Sequence, residues 1–149
     1  AAGGAKQGRL LMLKYMLDTN ILIYFMKNKP LSVIERVNQL SQDDELCMSF
    51  ISYAELLKGA YGSQRKTVVL KQLENLILRI PVLYSTQQQL CEYYAHHALL
   101  LKQAGTPIGN NDLWIASHAL AEKCILVSNN CKEFNRITDL TLENWADPT

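Results

Sequence analysis

Residues 15–27 read Tyr15-Met-Leu-Asp-Thr-Asn-Ile-Leu-Ile-Tyr-Phe-Met-Lys27 and join a predicted strand to a predicted helix. Tyr15–Leu17 is a short apolar run, which is typical of a buried strand. The helix is predicted from Thr19 to about Lys27, and Pro30 prevents its extension because proline lacks the backbone N–H that a helix interior needs. Asp18 stands between the two elements. The stretch therefore predicts a strand whose carboxyl end leads through an acid into a helix.

Apolar runs and helical patterns alternate along the rest of the chain. Such alternation is typical of βαβ units, in which helices cover a parallel sheet on both faces. We predict a single α/β domain over residues 12–149, with a central parallel sheet of four to five strands flanked by helices on both faces. Further strands are predicted at Leu46–Ser49, Pro81–Tyr84 and Cys124–Val127 and near Leu140–Leu142, and helices at Leu31–Leu40, Ile51–Tyr61, Val68–Ile80, Gln87–Gln103 and from an Asn111 cap to about Lys123.

The composition excludes two classes of protein. The hydrophobic fraction is 48%, which is too high for a disordered chain. The longest unbroken apolar run, Ile21–Met26, has six residues, whereas a membrane span needs about 18. The four cysteines form no C-x-x-C pair, and the sequence shows no secretory signal, so we predict a protein of the reducing cytoplasm.

The net charge of +1 depends on the first residues of the chain. Residues 1–11 have no periodicity and are predicted to be a vector-derived remnant or a disordered tail. They contain Lys6 and Arg9 and no acid, so that without them 13 basic residues face 14 acidic ones, a net charge of −1. Net charge therefore neither indicates nor excludes a nucleic-acid partner.

Basic residues are nevertheless concentrated in one region. Between Lys58 and Arg79 there are five of them against a single acid, Glu74. The region is either a solvated helical face or a surface for a phosphate backbone, which requires local rather than net charge. The candidate contacts to such a phosphate backbone are Lys27 and Lys29, just after the first predicted helix, and Lys58, Arg65 and Lys66.

Polar residues follow the first and the fourth predicted strands. Asp18-Thr19-Asn20 ends the first, and Ser128-Asn129-Asn130 follows the fourth. In parallel sheets ligands bind beyond the carboxyl ends of the strands. The alternative is helix capping, for which one of Asp18, Thr19 and Asn20 would be enough. Three such residues in a row favour a site.

Two further acids lie on predicted helices. On the helix from Ile51, an apolar stripe is predicted at Tyr53, Ala54, Leu57, Ala60 and Tyr61, with Glu55 on the other side between Ser52 and Gly59. Glu55 is either open to a ligand or a solvated acid paired with Lys58. Asp112 opens a helix above Ile115, Ala116 and Ala119, so it is predicted at the head of a buried stripe, where the helix N-terminus favours its ionised form.

Three carboxylates from three segments suit a hard cation. Magnesium takes oxygen ligands, commonly one or two protein carboxylates with water and substrate phosphate completing the shell. That is the chemistry of phosphodiester hydrolysis. The sequence has no G-x-S-x-G elbow, Walker loop or G-x-G-x-x-G motif. His118 is predicted to be a packed helix histidine with no role in the site.

Four motifs follow one another along the chain. They are Met16-Leu-Asp-Thr-Asn20, Ser52-Tyr-Ala-Glu-Leu-Leu-Lys-Gly59, Pro107-Ile-Gly-Asn-Asn-Asp-Leu-Trp-Ile-Ala116, and Leu126-Val-Ser-Asn-Asn130 with Glu133-Phe134. In this order they resemble the signature of PIN-domain proteins, and within them the VapC-type toxins of bacterial toxin–antitoxin pairs. Each motif alone has low specificity, but the four together, at these spacings, are specific, and the resemblance spans Met12 to Trp145.

The resemblance implies a function and its partners. It implies a magnesium-dependent endoribonuclease, with manganese as a substitute, that acts on structured RNA, commonly tRNA. It also implies a homodimeric toxin held inactive by a VapB-type antitoxin, with DNA contacted only through that antitoxin.

The resemblance also assigns site residues. Asp18, Glu55 and Asp112 match the first three acids of the family's site, and Asn20 and Ser128 match polar residues that brace it. Mutual repulsion of the three acids without metal predicts a raised pKa for at least one of them.

The chain departs from the family pattern at Asn130, where many members carry Asp. An amide oxygen can coordinate or orient a metal-bound water but brings no charge, and Glu133, one helical turn on, is the candidate to compensate. The departure leaves one or two metal ions open. It also leaves two alternative functions open: a non-catalytic PIN fold that binds RNA or protein, and a PIN-like DNA nuclease.

Overall fold

The computed structural model describes residues 12–146 and contains a five-stranded parallel sheet in the order β3-β2-β1-β4-β5. The predicted α/β class is thereby confirmed. The strands are β1 (Lys14–Leu17), β2 (Glu45–Ser49), β3 (Val82–Leu83), β4 (Ile125–Val127) and β5 (Leu142–Glu143), and the helices are α1 (Thr19–Lys27), α2 (Leu31–Asn38), α3 (Phe50–Tyr61), α4 (Lys66–Arg79), α5 (Gln88–Gln103), α6 (Asn110–Ala121) and α7 (Cys131–Phe134).

The central strand β1 divides the hydrophobic core into two clusters, one on each face of the sheet. Successive side chains of a strand point to opposite faces. Leu17 accordingly packs into the cluster that contains Leu22 of α1 and Leu73 of α4, and neighbouring Met16 packs into the cluster with Ile115 of α6. Helices therefore cover both faces, as predicted.

The register of the strands places the site. Because β1 pairs with both β2 and β4, with Leu17 opposite Val127, their carboxyl ends meet at one edge of the sheet. Asp18 follows β1 and Ser128 follows β4 at this edge, and the Asp18 backbone N–H donates to the Val127 carbonyl at 2.8 Å.

One predicted helix start is wrong. Asn111 was predicted as the cap of α6, but the helix begins at Asn110 and its N-cap is Gly109, which is extended and makes no side-chain cap bond. The Gly109 carbonyl already accepts from the Leu113 N–H at 2.9 Å, so Asn111 lies inside the first turn. Its side chain is free to bond elsewhere as a result.

Apart from one short additional helix, the other differences are confined to the ends of elements. The last strand lies at Leu142–Glu143, two residues beyond the predicted start, and the short α7 was not predicted. The predicted remnant or tail at residues 1–11 lies outside the described residues. Within residues 12–146, no helix is long and apolar enough to cross a membrane.

Candidate active site

Asp18 is a buried carboxylate at the carboxyl end of β1, with 4% of its surface exposed. Its Oδ1 accepts from the Thr19 backbone N–H at 2.7 Å, so Asp18 caps α1 as the capping interpretation predicted. Its Oδ2 accepts from Ser128 Oγ at 2.8 Å, and Ser128 Oγ accepts in turn from the Asn130 N–H at 2.9 Å. Both oxygens of the acid are therefore fixed.

Burial raises the pKa of Asp18 above its ordinary value. The hydrogen bonds from Ser128 and the Thr19 N–H oppose that shift, and the charge of Glu55 adds to it. A raised pKa among the acids is thus confirmed, although desolvation of the carboxylate contributes more than repulsion between the acids.

Glu55 lies on α3 and turns toward α1. Its Oε1 accepts from Thr19 Oγ1 at 2.7 Å, and its Oε2 lies 3.4 Å from the donating Asn111 Nδ2. Lys58, its predicted partner in the solvated alternative, forms no ion pair with it in the described part of the chain. Glu55 is therefore held by polar groups from two other helices.

The apolar stripe predicted for α3 is confirmed at three positions and wrong at two. Ala60 is buried, and Tyr53 and Leu57 pack against the core. Ala54 and Tyr61 are exposed instead, and the other buried residues of the helix are Ser52 and Leu56. The stripe was partly misplaced because Ser52 is polar yet fully buried, and because Tyr61 is apolar yet 59% exposed beside Lys66. Ser52 and Glu55 of this helix therefore face α1.

Asp112 lies half-buried in the first turn of α6, above the buried residues Ile115, Ala116 and Ala119 as predicted. Its pKa is raised to about 6, firstly by burial and then by the charges of Asp18, Glu133 and Glu55. A side-chain hydrogen bond with Asn130 acts in the opposite direction. Asp112 therefore lies within the electric field of the other three acids.

Asn130 and Glu133 meet at the start of α7. Asn130 Nδ2 donates to Glu133 Oε2 at 3.3 Å, and both side chains are partly buried. Asn130 therefore joins Glu133 to Asp112, and Glu133 brings a fourth negative charge next to Asn130. Asn20, in contrast, is exposed at the first turn of α1.

The donor set fits a hard divalent cation held partly by water. Asp18, Glu55 and Asp112 offer only oxygen ligands, the type that Mg²⁺ and Mn²⁺ accept. No three His, Cys, Asp or Glu side chains between residues 12 and 146 converge closely enough to hold a metal ion by themselves. One or two direct carboxylate ligands, completed by water and phosphate, match this arrangement.

The basic candidates are all exposed. Lys27 lies with Glu55 and Gly59 along a groove of about 340 Å³ between α1, α3 and α4. Arg65 and Lys66 lie at the start of α4, where the Lys66 Nζ is 5.1 Å from the centre of the Tyr61 ring. Lys29 and Lys58 project into solvent. The structure thus brings Lys27 to the groove beside Glu55.

Three residues at this site were not predicted as functional: Thr19, Ser52 and Asn111. Thr19 was noted only as a possible cap and as a member of the polar triplet Asp18-Thr19-Asn20, and Ser52 only as a small neighbour of Glu55. The usable signal was their spacing, because Ser52 and Glu55 share a face at i,i+3 and Thr19 follows Asp18 directly.

Comparison with known proteins identifies the family. The sequence profile described as PIN domain matches residues 15–140. The chain belongs to the PIN-domain family. Ribonuclease VapC1 of Haemophilus influenzae strain R2866 is 54% identical over 132 residues, which cover 89% of this chain and 98% of that protein. The tRNA(fMet)-specific endonuclease VapC of Shigella flexneri is 42% identical over 135 residues, covering 91% and 100%.

The solved structures agree with this placement among the VapC-type PIN proteins. VapBC-1 from nontypeable Haemophilus influenzae, solved at 2.2 Å, superposes with a TM-score of 0.85 at 52% identity. The match covers 91% of this chain and all of that one. The predicted PIN-like fold is thereby confirmed over nearly the whole described chain.

Proposed function

We propose that the chain is a metal-dependent endoribonuclease and the toxin of a toxin–antitoxin pair. The observation that carries the proposal is the arrangement of the acids, since Thr19 bonds to both Asp18 and Glu55, and Asp112 lies close enough for the charges of both to raise its pKa. Such a cluster at the carboxyl edge of a parallel sheet is unfavourable without a cation. The similarity to proteins named ribonuclease and endonuclease supports RNA as the substrate.

Each acid has a proposed role. Asp18 and Asp112 would hold Mg²⁺, or Mn²⁺ as a substitute, directly or through water, and Glu55 would complete the metal site and orient the attacking water. A bound divalent ion supplies activation of water and charge compensation for the phosphate. Ser128 and Thr19 fix Asp18 so that it presents its carboxylate in one orientation. Hydrolysis is expected to leave a 5′-phosphate and a 3′-hydroxyl.

The substrate and partners follow from the relatives. The similarity to a tRNA(fMet)-specific endonuclease supports a structured tRNA, and with it a cytoplasmic site of action. The similarity to a VapBC structure supports a VapB-type antitoxin as partner. We further propose a toxin homodimer inside that complex, with DNA contacted only through the antitoxin. Exposed Lys27, Lys29, Lys58, Arg65 and Lys66 are proposed to contact the RNA backbone.

One experiment separates the proposal from its alternatives. The purified chain is incubated with total bacterial RNA and with single-stranded DNA, each with Mg²⁺ or with EDTA, beside Asp18→Asn protein. We expect RNA cleavage only with Mg²⁺ and only by the unaltered chain. Cleavage of DNA alone would support the DNA-nuclease alternative, and binding without cleavage would support the non-catalytic alternative suggested by Asn130.

A further inference from the structure

We propose that Thr19 is a positioning residue that sets the orientation of Glu55 for the nuclease reaction. This inference rests on the proposed function and deepens it. Thr19 contacts two of the acids at once, because its backbone N–H donates to Asp18 Oδ1 and its hydroxyl donates to Glu55 Oε1, both at 2.7 Å. A single residue therefore connects the acid at the end of β1 to the acid on α3.

The direction of the hydroxyl bonds follows from counting protons. An ionised carboxylate only accepts hydrogen bonds, so the single Thr19 hydroxyl proton goes to Glu55. Ser52 Oγ lies 3.1 Å from Thr19 Oγ1 and must then be the donor in that pair. The result is a series of two hydrogen bonds, in which Ser52 donates to Thr19 and Thr19 donates to Glu55.

Ser52 fixes the geometry of this series of hydrogen bonds. It is fully buried on α3. A buried hydroxyl needs a hydrogen-bond partner, whereas an alanine at the same position would need none. The Ser52 hydroxyl donates to Thr19, so the buried serine holds the Thr19 oxygen with its proton directed at Glu55. Ser52 and Glu55 are three residues apart on the same helix face, and both therefore reach the same threonine.

Asn111 restrains the other oxygen of Glu55 from α6. Its amide Nδ2 lies 3.4 Å from Oε2, a longer contact than the 2.7 Å bond from Thr19. Glu55 therefore has both oxygens engaged by side chains, whereas Asp18 has one oxygen engaged by a side chain and the other by a backbone N–H. A carboxylate held in this way has one orientation available, which is what alignment of a water molecule requires.

The test compares Thr19→Val, which removes the hydroxyl at nearly constant shape, with Thr19→Ser, which keeps it. Thr141→Val is the matched control, since Thr141 is exposed at the amino end of β5, the opposite edge of the sheet. Loss of a supporting hydrogen bond commonly costs about 10- to 100-fold in activity or metal affinity. We expect that loss in kcat for Thr19→Val with unchanged KM, near-normal kcat for Thr19→Ser, and no change for Thr141→Val.

A second readout does not depend on cleavage. Calorimetric titration of Mg²⁺ into RNA-free protein is carried out for Thr19→Val, Glu55→Ala and the double variant. If Thr19 acts through Glu55, Thr19→Val weakens Mg²⁺ binding in the unaltered chain but causes no further loss in the Glu55→Ala background. Multiplying losses, or equal defects in Thr19→Val and Thr19→Ser, would overturn the inference.

The two proposals fail in different ways. If the unaltered chain cleaves no RNA, the proposed function is wrong, and the calorimetric cycle still tests the link between Thr19 and Glu55. If Thr19→Val does not fold, Ser52→Ala takes its place, with a lowered kcat and unchanged KM expected. A Ser52→Ala protein with the kcat of the unaltered chain would then overturn the inference.

Discussion

Ser128 Oγ donates a 2.8 Å hydrogen bond to Oδ2 of Asp18, and both side chains are buried. The bond joins the carboxyl ends of β4 and β1, neighbouring strands separated by more than 100 residues of sequence. Because burial raises the pKa of Asp18 and the Ser128 bond lowers it, the serine helps to keep this carboxyl ionised. Ser128 therefore contributes to the negative charge of the site by favouring the ionised form of Asp18.

Ser128→Ala is expected to impair both stability and activity. An unsatisfied buried acceptor costs about 1–3 kcal/mol, and loss of a supporting contact costs about 10- to 100-fold in activity. Urea unfolding at pH 7 measures the first effect and initial rates of RNA cleavage the second. Ser128→Thr, which keeps a hydroxyl, should retain more of both than Ser128→Ala, and an alanine variant with unchanged rates would contradict this role.

Asp18→Asn should abolish activity while leaving the protein folded. The substitution removes a carboxylate that burial disfavours, so the free energy of unfolding at pH 7 should stay equal or rise. Cleavage of RNA and growth arrest on expression should both disappear. An Asp18→Asn protein that remains toxic and cleaves RNA normally would show that the metal-site assignment is wrong.

Glu133→Gln tests how the site manages without an acid at position 130. Glu133 raises the pKa of Asp112, whereas Asn130 lowers it through a hydrogen bond. If Glu133 substitutes for the missing acid, Glu133→Gln should reduce RNA cleavage far more than Asn130→Ala does. Rates measured over a Mg²⁺ titration make the comparison, and equal, negligible effects would show that Asp18, Glu55 and Asp112 suffice.

The sequence predicted the architecture because its signals are local. Short apolar runs and helical stripes depend on neighbouring residues, and each predicted strand was found with small shifts at its ends. Asp18, Glu55 and Asp112 stood out because each lies in a motif at the start of a helix or on a helix face. The structure adds that Asp18 and Glu55 lie close enough to Asp112 for their charges to raise its pKa.

The remaining parts of the site depend on contacts between distant residues. The bond from Thr19 to Glu55 spans 36 residues, and the contact from Asn111 to Glu55 spans 56. Neither is visible in a pattern of apolar positions. The burial of Ser52 on α3 was missed for the same reason, since a hydrogen bond to Thr19 of α1 satisfies its hydroxyl.

Gly59→Ala should stabilise the protein. Gly59 lies inside α3, and a Cβ built there would meet no atom within 4 Å. Glycine in a helix interior costs about 0.5–1 kcal/mol relative to alanine, so the substitution should raise the free energy of unfolding by that amount. Urea unfolding measures it.

Gly105→Ala is the matched contrast for that measurement. A Cβ built at Gly105 would also meet no atom within 4 Å. The φ of Gly105 is +72°, however, in the left-handed region that favours glycine. Alanine there should therefore destabilise by about 1–2 kcal/mol. If both substitutions shifted stability in the same direction, backbone conformation would not be the controlling factor.

His118 should make the protein less stable in acid. It is fully buried, its Nδ1 lies 2.8 Å from Ser49 Oγ, and burial lowers its pKa below the ordinary 6.5, with Glu122 opposing and Lys14 reinforcing the shift. The unfolded chain therefore binds a proton more readily than the folded one. The stabilising contribution of neutral His118 is complete above about pH 6.5 and declines as the pH falls from there toward the lowered pKa.

The total stability does not isolate this effect, because the raised pKa values of Asp18 and Asp112 act in the opposite direction and His97 in the same one. The useful quantity is the difference in unfolding free energy between the unaltered chain and His118→Gln, measured by urea at pH 7.5 and pH 5.5. Glutamine keeps a polar group near Ser49 but does not titrate. We expect His118→Gln to be the less stable protein at pH 7.5 and the difference to shrink at pH 5.5. A difference that stays constant over this range would show that His118 does not change protonation on unfolding.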